Sequence, residues 1–392
     1  MKKYVIPSLI AIAAFLTTIS FQPFTILRQE GLGLFLNTPD YYRALFFDPF
    51  PLSNLTGSFL VQFYSNVYVG AAIVALMVTA VYFLARGIFR RIGFRLEALN
   101  VLCAGTAWFF LARAANPSMG IAIILLSSAV LALLAILGIR RKVKSPLSPV
   151  IDIVAGVVCI AAAAASVASN AFIREGEKWS AIEFAAVQGD WNYLLKRATP
   201  EEARKDMQVV PYALLALNAK GQLSARLDEY PLMENFGLDY GDEVSYRRSL
   251  FDAVLYGCLG CWNEAVHRTH QCGDFLPHCT SFRTLRMLIK ENYAMGDSLM
   301  VVKYCDILDK SLLHKEFTGY FREHPCRQRV PNTAGESSRA QLIVTKDPMD
   351  IMLRLGRCGI ESAMAMDRYY SYYKVREYFK NLHQQSAPLG LR

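Results

Sequence analysis

The residues best suited to chemistry in this 392-residue chain crowd between positions 258 and 279. Cys258, Cys261, His267, His270, Cys272, His278 and Cys279 bring thiols and imidazoles together there. Zinc usually takes four nitrogen or sulfur ligands. The set is large enough for that, although its spacing is irregular for a zinc module. Cys258-Leu259-Gly260-Cys261 also has the C-x-x-C spacing of thiol oxidoreductases. Those enzymes place the motif at a helix N-terminus, where the environment lowers the thiol pKa. Here a helix precedes the motif, and no alternation of strand and helix surrounds it. The third reading is structural. In an oxidising compartment some of Cys258, Cys261, Cys272, Cys279, Cys305, Cys326 and Cys358 would pair as disulfides. Seven is odd, so at least one would stay free or pair with another molecule. The structural reading is the expectation, with no metal and no cofactor. Cys103 and Cys159 lie in apolar runs and read as packing residues.

A second place for chemistry is Asp40, in the segment 27–66. A carboxylate in an extracytoplasmic loop could act as general base or metal ligand in envelope glycan or lipid modification. One aspartate is a thin basis for that, and Asp40 is the weak catalytic candidate of the alternative reading. The phosphate-binding, dinucleotide-binding, zinc-protease and nucleophile-elbow motifs are all absent.

The elements that would position these groups follow from composition. The chain is 53% hydrophobic and 19% charged, with a mean hydropathy of +0.23. An ordinary soluble domain has about 45–50% apolar and about 25% charged residues. A bilayer crossing needs about 20 mostly apolar residues. Five runs qualify, at about 4–26, 67–84, 96–115, 119–139 and 150–170. They form a transmembrane helical domain over residues 1–172. The first run lacks a small-residue cleavage site, since residues 17–23 read TTISFQP, and is expected to stay as an anchor. Glu97, Arg113 and Asp152 fall near run ends and are expected at the interface.

The net charge of +9 belongs to the apolar half, with 13 basic and 5 acidic residues before position 173. Lys2–Lys3 precede the first run, Arg86, Arg90, Arg91 and Arg95 follow the second, and Arg140, Arg141, Lys142 and Lys144 follow the fourth. The positive-inside rule then puts the N-terminus in the cytoplasm and residues 173–392 outside, in a periplasm. This distribution does not suit nucleic acid. Residues 27–66, rich in Tyr and Phe and broken by Pro39, Pro49 and Pro51, read as an interfacial or re-entrant element.

Beyond residue 172 the charges are dense and balanced, and apolar residues recur at helical spacing. Helices are expected at 179–188, 191–197, from Thr199-Pro200 onward, and at 207–220, 246–258, 261–269, 282–295 and 298–308. Gly-Asp or Gly turns separate the pairs. The turns at Gly260 and Gly296 lie 36 residues apart, close to the period of about 34 of tetratricopeptide repeats. Residues 325–347 read as an irregular loop, followed by helices at 348–357 and at 361–382, the latter rich in tyrosine. The fold class is therefore all-α: a membrane bundle followed by a degenerate solenoid of helical hairpins.

The sequence resembles an uncharacterised family of Bacteroidetes multi-pass membrane proteins. The resemblance rests on residues 35–42 (FLNTPDYY), on 55–69 with FLVQFY entering a span, and on 174–179 (REGEKW) with Gly189-Asp190-Trp191. Residues 212–223 (YALLALNAKGQL) and 292–315, ending in LLHK, extend it. It implies architecture and inner-membrane residence but no activity. The expected function is non-enzymatic: a bilayer-anchored periplasmic helical domain that binds a protein or peptide.

Overall fold

The computed structural model describes residues 4–114, 117–139, 148–231 and 245–326. Cys358, the basic cluster 140–144 and the expected helices at 348–357 and 361–382 lie outside them. Among the described residues the regular structure is helical, with no strand. The chain divides into two compact units. One is Met1–Ala181 with Ser281–Arg283 and Ile307–Glu316, and the other is Ile182–Thr280, Thr284–Asp306 and the chain from Phe317 onward.

The first unit is built on long apolar helices. α1 (Val5–Phe21) and α2 (Pro23–Leu32) replace the single first span expected over 4–26, because the helix breaks at Gln22 and bends by 83°. Pro23 has no N–H to continue the ladder, and its ring clashes with the preceding turn. Two side chains hold the break open. Gln22 Nε2 donates to the Ala112 carbonyl at 3.0 Å, and Glu177 accepts the backbone N–H groups of Phe24 and Thr25 at 2.9 and 2.8 Å. A carboxylate at a helix N-terminus meets both the free N–H groups and the positive end of the helix dipole.

α3 (Pro39–Phe46), α4 (Pro51–Val61) and a 3-10 turn at Gln62–Ser65 fill the following segment. α4 seats on the start of α7 (Ser118–Ile136), where a Cβ on Gly57 would collide with Ser118. α5 (Val67–Ile92) starts at Asn66, whose side chain accepts from Tyr68 and Val69, and ends at Gly93 with φ +100°. It therefore runs past the expected end at 84 and carries Arg86, Arg90 and Arg91 on the helix itself. Arginine is a good helix former, so the left-handed glycine and not the first charge terminates α5. α6 (Glu97–Arg113) and α8 (Pro149–Ser169) complete the bundle. α1 and α6 each pack on both α5 and α8, while α7 packs mainly on α5.

Three helices, Val67–Ile92, Ser118–Ile136 and Val150–Ser169, are long and apolar enough to cross a membrane, and the bent α1–α2 pair makes a fourth if it counts as one span. α6 has 17 residues and falls short of the expected fifth. The architecture is consistent with a membrane protein.

The second unit is made of short helices. α9 (Ala171–Gln188) crosses the division and leads to α10 (Trp191–Arg197), α11 (Pro200–Lys205), α12 (Val210–Ala219) and α13 (Leu223–Arg226). α14 (Tyr246–Cys258), α15 (Trp262–Asp274), α16 (Phe282–Met295), α17 (Ser298–Leu308) and α18 (Lys315–Glu323) follow. The expected helix 207–220 opens instead with a 3-10 turn at Met207–Val209, because Pro211 suits only the first turn of α12.

One local device recurs. Gly189, Gly221, Gly260 and Gly296 all take positive φ, at +72°, +66°, +73° and +82°. At each, the N–H after the glycine reaches back five residues: Asp190 to Ala185, Gln222 to Leu217, Cys261 to Tyr256 and Asp297 to Asn292. The glycine N–H itself reaches back three, in the two-bond arrangement that closes a helix on a left-handed residue. Successive turns are 32, 39 and 36 residues apart. The buried faces are apolar. Leu214, Leu215 and Leu217 of α12 and Phe251 and Leu255 of α14 are almost wholly covered, and the rings of Tyr212 and Phe251 meet edge-on at 4.8 Å.

Candidate functional site

Asp40 lies in the first turn of α3, where Thr38 caps the helix by accepting from the Tyr41 N–H. Its side chain is 92% exposed and stands 3.6 Å from Arg43, also exposed. This is an i,i+3 surface pair, of a kind that contributes at most about 1 kcal/mol.

The Cys258–Cys279 region forms the turn between α14 and α15 and the length of α15. Cys258 is the last residue of α14, and burial pushes its thiol up to about 12. That is the opposite of an activated thiolate, which needs a lowered pKa. Cys261 is buried at the N-cap of α15, and its thiol faces the Leu259 carbonyl. Cys272 and Cys305 are buried, Cys279 is exposed and Cys326 is half-buried. His267 faces the Gln271 amide at 3.2 Å, and His270 faces the Tyr304 hydroxyl at 3.3 Å. His278 is half-buried. Among the described residues no three His, Cys, Asp or Glu side chains come together to hold a metal ion.

Behind α15 stands a carboxylate that spacing did not single out. Glu291 of α16 is 6% exposed. Its Oε1 accepts from the Thr269 hydroxyl at 2.7 Å, and its Oε2 has no hydrogen-bond partner. Burial raises the carboxyl to about 7, against the lowering effect of the Thr269 hydroxyl.

Two other polar centres lie in the first unit. Glu97 and Asp152, expected at the interface, are instead buried at 8% and 5% exposure. Glu97 pairs with Arg86 at 2.9 Å and accepts from the Tyr82 hydroxyl and from Asn100 Nδ2. Asp152 accepts the Glu97 backbone N–H at 2.7 Å. Burial of these groups is tolerable because they satisfy one another, and the set ties α5, α6 and α8 together.

The second centre joins Glu30, Ser311 and His314, none more than 4% exposed. His314 Nε2 meets Glu30 at 2.9 Å, its Nδ1 meets Ser311 Oγ at 2.9 Å, and the Phe282 ring stacks on the imidazole at 4.2 Å. A serine, a histidine and an acid suggest hydrolysis, but Ser311 Oγ donates its proton to the Leu308 carbonyl at 2.6 Å. A nucleophilic serine must give that proton to the imidazole, so this set is a clamp. Around it, Gln62 accepts from the Leu312 N–H, Asn37 donates to the Lys310 carbonyl, and Phe282 donates to the Gly33 carbonyl. Arg283 lies against Gly31, where any Cβ would press on its guanidinium. The pieces 281–283 and 307–316 thus complete the first unit.

The chief exposed apolar side chains of the second unit's α17 are Leu299, 82% exposed, and Val302, 47% exposed. They are one turn apart on one face of the helix.

No curated protein and no solved structure matches the chain. A model described as a family of unknown function, DUF6057, matches residues 1–182 and again residues 172–355. With most of its length so matched, the chain belongs to that family.

Proposed function

We propose that this is a multi-pass inner-membrane protein, not an enzyme, whose second unit stands outside the cytoplasm and binds a protein or peptide of the cell envelope. The observation that carries the reading is the fourfold recurrence of one glycine turn at 32 to 39 residues, each turn closing a helix, with α14 and α15 packed together across the turn at Gly260. Recurrent hairpins of this kind act as degenerate tetratricopeptide-like repeats, which stack to bury one face and leave another for a ligand. The orientation is supported by charge. Leu131 of α7 packs against Gly87 of α5, so the two helices end at one level. Arg90 and Arg91 stand at that end of α5, and the cluster 140–144 follows α7.

The test is photo-crosslinking in intact cells, with the full chain carrying a photoreactive residue at Leu299 or Val302, and at exposed Asn263 as control. A discrete adduct from 299 and 302 that is absent at 263 is the expected result. If neither position yields an adduct at normal protein level, the binding reading fails.

A further inference from the structure

α7 is the outlying helix of the first unit. It packs on α5 and α4 and only slightly on α6, and 11% of its apolar window is buried. Its 19 residues span about 29 Å at 1.5 Å per residue, close to the roughly 30 Å hydrocarbon thickness of a bilayer. Its first residue, Ser118, therefore stands at one boundary of the apolar slab. Neighbouring helices reach the same level. Leu111 of α6 touches Gly120, and Gln22 at the end of α1 donates to the Ala112 carbonyl. The Arg113 guanidinium lies 4.5 Å from the ring of Phe172, just past the end of α8.

At this boundary α4 lies across the start of α7. Its carboxyl end is fixed to the bundle, since the Tyr64 ring of the following 3-10 turn sits against Gly70 of α5. Its middle is fixed at Gly57, where a Cβ would collide with the Ser118 backbone. Phe50 comes seven residues before Gly57, about 10 Å farther along the helix direction and away from α5. The tip between α3 and α4 therefore overhangs the uncovered side of α7.

That tip is aromatic. Phe46, Phe47 and Phe50 are 73%, 86% and 74% exposed, and Leu52 is exposed in the first turn of α4. Phe50 has φ +59°, a backbone region that favours glycine or asparagine, yet the position carries a phenyl ring. Between residues 44 and 66 Asp48 is the only charged residue. An apolar tip without a basic residue, held at the level where the apolar helices end, fits the acyl boundary of a bilayer and not an anionic surface.

We propose, on the multi-pass reading above, that this tip is inserted in lipid. Phe46, Phe47, Phe50 and Leu52 enter the acyl boundary of the leaflet at the start of α7. The driving force is the removal of apolar surface from water, which is indifferent to head-group charge. The segment 27–66 then meets lipid through one tip and not along its length. Tyr41 and Leu45 of α3, and Ser53, Gly57 and Val61 of α4, are buried against protein.

The test uses the full chain reconstituted in vesicles of dioleoyl phosphatidylcholine. The photoreactive p-benzoylphenylalanine replaces Phe47 in one sample and Leu126, exposed midway along α7, in another. After irradiation the intact chain is weighed by mass spectrometry. Both samples should gain the mass of one phospholipid, and the sample labelled at 47 should do so equally in dioleoyl phosphatidylglycerol. Phe46 takes the place of Phe47 if that variant cannot be produced. A lipid adduct from 126 with none from 47 overturns the proposal and leaves the membrane reading standing. An adduct from 47 that joins two chains overturns it too, by making the tip a contact between copies. So does an adduct in phosphatidylglycerol alone, which would mean that head-group charge sets the contact. No lipid adduct at either position removes the membrane reading and this proposal with it.

Discussion

Glu291→Gln should stabilise the protein, and the gain should depend on pH. The carboxyl has an ordinary value of 4.5 in the unfolded chain and sits at about 7 in the folded one. Between these values the folded state keeps a proton that the unfolded state releases. Stability contributed at this site therefore falls as pH rises from about 4.5 to 7, and stays low above that. Two and a half units correspond to a cost of about 3 kcal/mol at pH 8, close to zero at pH 4 and intermediate near pH 5. Glutamine keeps an oxygen for the Thr269 hydroxyl and carries no charge, so it removes the cost without emptying the site. The assay is denaturant unfolding of the full chain in detergent from pH 4 to pH 8. Intrinsic fluorescence of the four tryptophans, with Trp262 on α15, the helix that carries Thr269, follows the transition. The variant and the wild type should unfold together at pH 4 and separate progressively to about 3 kcal/mol at pH 8. A difference that is constant across this range, or a variant less stable than the wild type at pH 8, would falsify the reasoning.

Three further outcomes are expected. Glu177→Ala should lower thermal stability by about 1–3 kcal/mol, because it strips the carboxylate from the two N–H groups that open α2, and Glu177→Gln should lose less. Arg86→Ala should cost about 3–5 kcal/mol by leaving Glu97 buried and unpaired. Adding Glu97→Ala should recover part of that, and a double-mutant cycle with no coupling would show that the pair is not formed. In spheroplasts a membrane-impermeant maleimide should modify exposed Cys279 at once and buried Cys258 only after denaturation. If Cys279 reacts only once the membrane is permeabilised, the second unit is cytoplasmic and the proposed orientation is wrong.

Local signals were the legible ones. α10 and α14 begin and end where spacing and turn residues put them, at Trp191–Arg197 and Tyr246–Cys258, because a cap and a glycine act within one turn of the helix they bound. Long-range pairing was not legible. The break at Gln22 sits in a run whose apolar composition reads as one continuous span, and the carboxylate that secures it lies more than 150 positions away. Glu97 and Asp152 looked interfacial because nothing in their neighbourhoods announces that the Asp152 carboxylate caps the Glu97 N–H 55 residues earlier. Glu30 and His314, 284 positions apart, gave no mutual sign. Asp40 attracted attention through its residue type and proved to be a surface carboxylate, whereas Glu291, inside a regular helical pattern, is a buried carboxylate whose titration the fold moves toward neutrality.

The bend between α1 and α2 carries a consequence for biogenesis. Its securing carboxylate belongs to residue 177, so a nascent chain that has threaded only its first apolar segment lacks the group that stabilises the bend. The first helix pair must wait, incompletely set, while every apolar helix up to α8 is synthesised. Residues 310–314, which close over Asn37, Gln62 and Glu30, arrive later still. The amino-terminal segment is thus the earliest to be made and among the last to mature. A ribosome stalled between residues 177 and 310 would hold a chain whose bend is secured by Glu177 but whose Glu30 still lacks the imidazole of His314.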